Sequence, residues 1–197
     1  MKILYTGFAP FGGERVNPSF EALRLLPDSL DGAAVLRMEL PTTFESAGKL
    51  LLDTIGRENP DIVICVGQAG GRAAVTPERC AINVRDARIP DNAGHQPKDE
   101  PVIAGGPAAL FSTLPIKAMA AAARKDGFAA EISNSAGTFV CNDLMYSLLY
   151  TLEREFPAVR GGFIHVPACA CSDQSAPIPV MPPETSAAAI EKMLAVL

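Results

Sequence analysis

The amino-acid sequence predicts a single α/β domain, spanning residues 1–197, with three layers around a mostly parallel sheet. Two observations carry this. Short β-branched or aliphatic runs alternate with longer segments of helical spacing, and no internal repeat interrupts them. One run, Asp61-Ile62-Val63-Ile64-Cys65-Val66-Gly67, is apolar almost throughout, the pattern of a strand covered on both faces.

Taken in order, Ile3–Thr6 reads as the first strand and leads into the loop Gly7-Phe8-Ala9-Pro10-Phe11-Gly12-Gly13. Asn17 then supplies an N-cap, and Pro18 opens a helix running to Leu26. Ala34–Leu40 is a second strand. Phe44–Arg57 places Leu50, Leu51 and Ile55 on one helical face after Thr42 and Thr43. Residues 61–67 form the third strand and Cys80–Val84 a further one. The stretch from Arg85 to Pro107 is rich in Pro, Gly, Asp and Asn and lacks periodicity, so it reads as a long loop or excursion, of a length that is usually functional or mobile. Pro115–Lys125 is an alanine-rich helix that stops at Gly127, and Ala130–Ser133 reads as the fifth strand. Asn142–Phe156 repeats Leu144, Met145, Leu148, Leu149 and Leu152 at helical spacing until Pro157 ends it. Gly162–Val166 is the last strand. Thr185–Val196 is a final amphipathic helix.

A chain of 197 residues supports one sizeable core, and 48% apolar with 20% charged residues is ordinary for a globular protein. The net charge of −5 and the scattered Lys and Arg exclude nucleic acid as a partner. No apolar stretch reaches the length of a membrane span, and the apolar run after Lys2 breaks at Thr6-Gly7, too early for a secretory signal. Five cysteines without repeated spacing argue against a disulfide framework and for reduced thiols in the cytoplasm.

Ligands of open α/β sheets bind at the carboxyl ends of the strands. Cys141 stands where a strand and a glycine-containing turn deliver the chain into a helix. There the helix dipole and free N–H groups would favour thiolate and could hold an oxyanion. The alternative for any free cysteine is a small buried hydrophobe, and Cys65 and Cys80 read that way. Of the two histidines, His165 lies at the end of the last strand, sharing a face with Phe163 and Pro167, while His95 sits in a polar loop and reads as solvated. Glu78 alone could equally be a surface carboxylate. Phe8 and Phe11 flank Pro10 at the ligand edge and could line an apolar slot. Gly12-Gly13 lacks the spacing of a phosphate loop.

Several ordered motifs resemble the pyroglutamyl peptidase I (pyrrolidone carboxyl peptidase) family over nearly the whole chain. They are Gly7–Gly13, Gly70-Gly71-Arg72, Thr76-Pro77-Glu78-Arg79, Ala81-Ile82-Asn83, Asp86–Asn92, Phe111–Pro115, Ser133–Asn142 and Gly162–Pro167. The resemblance implies a cysteine peptidase that removes an N-terminal pyroglutamyl residue without metal or cofactor. It places the family's catalytic glutamate, cysteine and histidine on Glu78, Cys141 and His165. Its ring-binding phenylalanines fall on Phe8 and Phe11, with Phe139 and Val140 near the lactam. Backbone at Gln68 and the Arg88-Ile89 segment would border the same pocket. The implied fold is a three-layer α/β/α sandwich, assembled as a dimer or tetramer.

The chain departs from the family in three places. It reads Ala168-Cys169-Ala170-Cys171-Ser172-Asp173-Gln174 where an aromatic and a Pro-Glu-Gln type run are usual. Ala9 stands where an acidic residue is common, and Cys80 where valine is. Two other readings compete. His165, Cys169, Cys171 and Cys141 could bind zinc, although Cys-x-Cys is a weak signal. An inactive homologue could bind pyroglutamyl peptides without cleaving them.

Overall fold

A computed structural model describes residues 1–30, 32–170 and 178–197. The elements are β1 (Lys2–Phe8), α1 (Pro18–Arg24), β2 (Ser29–Leu30), β3 (Ala33–Leu40), α2 (Ser46–Glu58), β4 (Ile62–Gln68) and β5 (Thr76–Pro77), followed by β6 (Cys80–Ile82), β7 (Ala109–Phe111), α3 (Ile116–Lys125), α4 (Val140–Glu155), β8 (Arg160–Val166) and α5 (Pro183–Leu194).

Six strands pair in the order β2-β3-β1-β4-β8-β5. The four inner strands are parallel; β2 and β5 close the two edges antiparallel. Period-two alternation divides β4 between the faces. Ile62, Ile64 and Val66 join one core with α1, α3 and α5, while Val63 and Cys65 join the other with α2 and α4. The expected three-layer sandwich and mostly parallel sheet are therefore present.

Since β1 lies between β3 and β4, the chain leaves it toward opposite sides of the sheet. That reversal opens a crevice beyond the carboxyl ends of β1 and β4, where α/β sheets bind ligands. The loop after β1 is pinned over this crevice, because Asn17 and Thr42 both donate to the Ala9 carbonyl, at 3.1 and 2.8 Å. Asn17 also caps α1, accepting from Ser19 N–H at 3.1 Å.

Two expected strands differ. Residues 130–133 form only isolated bridges, Val75 to Ala130 and Glu78 to Ser133, because their backbone pairs with a short segment rather than a full neighbour. The strand expected at Cys80–Val84 is shorter and leaves the main sheet to pair with β7. Asn142 causes this departure: its side chain bonds Ile82 N–H and the Ile82 and Val84 carbonyls, tying β6 to α4. The excursion from Arg85 holds one isolated antiparallel bridge, Arg85 to Glu100, and is firmly bonded elsewhere. Asn92 donates to the Pro10 carbonyl at 2.8 Å, and Asp91 accepts from Phe44 N–H at 2.9 Å.

Candidate active site

The edge strand β5 determines where the Glu78 carboxylate goes. Thr76 pairs with His165 across β5 and β8, and Glu78 N–H continues the ladder to the Phe163 carbonyl at 2.9 Å. Glu78 is thereby carried under the sheet edge and is fully buried, contrary to its possible reading as a surface charge. Its Oε1 accepts from His165 Nδ1 at 2.6 Å and from Arg72 Nη1 at 2.6 Å. Burial pushes the Glu78 carboxyl upward, but the hydrogen bond from His165, with those of Ser133 and Arg72 in support, holds it below the usual range. Burial lowers His165, more than its bond to Glu78 raises it. The resting pair is thus a carboxylate and a neutral imidazole. Donation from Nδ1 leaves Nε2 as the acceptor.

Cys141 occupies the first turn of α4, just after Phe139 and Val140. The fifth strand expected to deliver it is absent, and an irregular segment with Gly137 in the left-handed region (φ 80°) does so instead. Burial pushes the thiol up to about 12, and the Glu78 carboxylate adds to that rise. The helix terminus therefore does not produce a resting thiolate: dehydration outweighs the dipole, which is worth about 1 kcal/mol. The neutral thiol needs a base at the moment of attack.

Gly67 makes room for this thiol. It pairs with His165 across β4 and β8, and a Cβ there would stand 2.8 Å from both Cys141 Sγ and Phe163 Cζ. Gly67→Ala is expected to displace the Cys141 thiol, lowering kcat at least roughly 10-fold and stability by about 1–3 kcal/mol. Steady-state kinetics beside a urea melt would check this; unchanged kcat would show that Cys141 has slack.

A cleft of about 270 Å³ opens above these side chains, lined by Phe8, Phe11, Gln68, Phe139, Cys141 and His165 among others. Phe11 faces Phe139 with ring centroids 6.3 Å apart, and Phe44 meets Phe139 edge-on at 5.3 Å. Arg88 and Ile89 line an adjoining cleft of about 390 Å³, which shares Phe11, Gln68 and Phe139 with the first. Val140 is the exception: its side chain is fully buried in the core, which leaves only its backbone to serve the cleft.

Two side chains stand elsewhere than expected. His95 is half-buried, its ring edge-on to Phe44 at 5.7 Å, because the Asp91 turn folds it inward. Cys80 is half-buried and directs its thiol to the Asn134 carbonyl, rather than filling the core. Cys171 lies outside the described residues. Among the described residues, no group of three or more His, Cys, Asp and Glu could hold a metal.

Sequence reasoning missed Asn17, Thr42, Arg72 and Ser135–Gly137 as lining residues. Asn17 was legible only as a helix cap, and Arg72 only as part of a motif. It also missed Asp143, which pairs with Arg85 at 2.5 Å and stands two residues after Cys141. Burial pushes Asp143 up to about 6 against the pull of Arg85. The folded state therefore binds this proton more tightly than the unfolded chain, whose carboxyl titrates near 4. Its contribution to stability is greatest below about pH 4 and falls as pH rises toward about 6. Denaturant titrations across that window should find the slope reduced in Asp143→Asn.

Comparison with known proteins agrees with this architecture. The family model described as pyroglutamyl peptidase matches residues 1–196. The pyrrolidone-carboxylate peptidase of Streptomyces coelicolor is 53% identical over 195 residues, 98% of this chain and 90% of that one. Pyrrolidone-carboxylate peptidase 1 of Streptococcus pneumoniae is 56% identical over 167 residues, covering 85% and 78%. The crystal structure of pyroglutamyl peptidase I from Bacillus amyloliquefaciens superposes with a TM-score of 0.92 at 43% identity, over 98% of this chain and 94% of that one. A mutant pyrrolidone carboxyl peptidase from Pyrococcus furiosus gives 0.92 at 40%, over 100% and 97%. With a buried carboxylate–imidazole pair, a thiol at the head of α4 and a family match spanning residues 1–196, this chain belongs to the pyroglutamyl peptidase family.

Proposed function

We propose that this protein is a cysteine omega peptidase that hydrolyses the N-terminal pyroglutamyl residue from peptides, with Cys141 as nucleophile, His165 as base and Glu78 as orienting group. The single observation that carries the assignment is the 2.6 Å bond from His165 Nδ1 to the fully buried Glu78, beside a cleft that also holds Cys141.

On attack, the Cys141 thiol gives its proton to His165 Nε2 as Sγ bonds to the pyroglutamyl carbonyl carbon. Glu78 stabilises the imidazolium that forms. Backbone N–H groups at the head of α4 hold the oxyanion. Collapse breaks the C–N bond, and His165 returns its proton to the leaving amine, leaving a thioester on Cys141. His165 then takes a proton from water, whose oxygen attacks the thioester; pyroglutamate leaves and the thiol is restored.

The cleft suits this substrate. Pyroglutamate carries a neutral lactam and no α-ammonium, so the aromatic walls of Phe8, Phe11 and Phe139 can desolvate it. Backbone at Gln68 and Val140 supplies polar partners, with the Arg88-Ile89 segment along the border. No metal or cofactor is required by this chemistry.

The deciding experiment is release of a fluorogenic amine from its pyroglutamyl amide, under reducing conditions with chelator present. Turnover by the wild type that survives chelator supports the reading, and its absence in folded protein overturns it. The activity should decline only below the ordinary histidine value near 6.5, because His165 is lowered and must be neutral to act. No helix among the described residues is long and apolar enough to cross a membrane. Cys65, Cys80 and Cys141 are free thiols, but Cys169 is disulfide-bonded, against the expectation of reduced thiols, so the cytoplasmic setting rests on the sequence reading alone. Assembly into a dimer or tetramer is supported by Phe111, 65% exposed between apolar grooves, and is checked by light scattering.

A further inference from the structure

We propose that Arg72 is a positioning residue for the reaction, one guanidinium that holds both the Glu78–His165 pair and the Ser135–Gly137 wall of the cleft. This rests on the roles assigned above to Cys141, His165 and Glu78.

The turn through Gly71 (φ 90°) aims Arg72 at the mouth of the cleft, where its side chain is 30% exposed. Nη1 donates to Glu78 Oε1 and to Thr76 Oγ1, each at 2.6 Å. Nη2 donates to the Ser135 carbonyl at 3.1 Å. The three acceptors lie on two separate pieces of chain: β5 with the residue just after it, and the segment that leads to Cys141. A planar fork can serve all three at once, which a point charge cannot.

The division of labour follows from which atoms are touched. Glu78 Oε1 is shared by His165 and Arg72, so its position and its charge are set from two sides. A fully buried carboxylate with only a neutral imidazole beside it would be costly, and would tend to take up a proton. Glu78 and Thr76 face the guanidinium from within, and His165 and Cys141 share the cleft with it. On its outer side Glu131 shares a second hollow with it. Its charge favours ionised Glu78, neutral His165 and an easier ionisation of Cys141, which is the resting state the attack needs.

The test compares Arg72→Met and Arg72→Lys with wild type. Three readouts serve: kcat and KM on a pyroglutamyl amide, circular dichroism, and the pH dependence of Cys141 alkylation by iodoacetamide followed by peptide mass. Arg72→Met is expected to lower kcat roughly 100-fold, raise KM several-fold, and move the acid limb of alkylation to higher pH. Arg72→Lys should return kcat to within about 10-fold of wild type and restore the limb while KM stays raised, because an ammonium can reach Glu78 but cannot fork to Ser135. A folded Arg72→Met with kcat, KM and alkylation limb all within about two-fold of wild type overturns the proposal. If Arg72→Met does not fold, Arg72→Lys decides alone, and wild-type KM in it overturns the role at the wall. Alkylation needs no turnover, so failure of this proposal is distinct from failure of the peptidase assignment, which inactive wild type would reveal.

Discussion

Cys141→Ala is expected to lower kcat on a pyroglutamyl amide by about 10⁴-fold or more, because Cys141 is the one thiol among the residues that line the cleft. The other two free thiols among the described residues are poorly placed to substitute. Cys65 is fully buried in β4, where burial pushes its pKa up to about 12, and Cys80 directs its sulfur to the Asn134 carbonyl. Removing one partly buried sulfur should cost only about 1 kcal/mol of stability, so the melt should scarcely move. Cys141→Ser is the sharper companion. It keeps an attacking atom at the head of α4 but offers a far less acidic group, and about 10³-fold loss is expected. Titrating active sites with a thiol-directed inhibitor guards against contamination by wild type. If more than about 1% of turnover survived in the alanine variant, the thioester route would be wrong.

Glu78→Gln is the second large effect, with an expected loss of about 10³–10⁴-fold in kcat and a small change in KM. Glutamine matches the shape of glutamate but cannot stabilise imidazolium, and it can present its NH₂ to Nδ1, inverting the tautomer that leaves Nε2 free. The same change leaves the Arg72 guanidinium beside a neutral amide, so some stability is lost at neutral pH. The sign of its pH dependence is fixed by the depressed Glu78 carboxyl. Its stabilisation is present above the unfolded value near 4.3 and disappears as pH falls through the lower folded value. Acid melts of wild type and variant should therefore converge at low pH and separate toward neutrality. Turnover within ten-fold of wild type would sink the orienting role.

How much of the site could be read in advance varied with the physics involved. The thiol, imidazole and carboxylate carry recognisable chemistry, and their motifs lie in family order, so Cys141, His165 and Glu78 were legible as candidates. Their states were not. The sequence reading expected a thiolate favoured by the helix dipole, whereas the thiol lies beside a carboxylate and away from water. Dehydration is a property of packing and has no local signature. Gly67 is a similar case. Within the apolar run of β4 it looks like a strand residue of no note, and its importance comes from Cys141 and Phe163 converging on it.

By itself the sequence determined the layers. The alternation of Ile62, Ile64 and Val66 against Val63 and Cys65 commits β4 to two faces, and the periodicity of α2 and α4 commits those helices to one of them. Hydrophobic burial acts through such local periods, so they can be read residue by residue. Only the tertiary structure decided which residues met at the crevice. Asn17 and Thr42 on the Ala9 carbonyl, Arg72 on Glu78 and Ser135, and Asn142 on Ile82 and Val84 each join segments whose contact no period encodes. Such bonds are directional and depend on where the folded chain brings each backbone group, and they appear only once the sheet has closed.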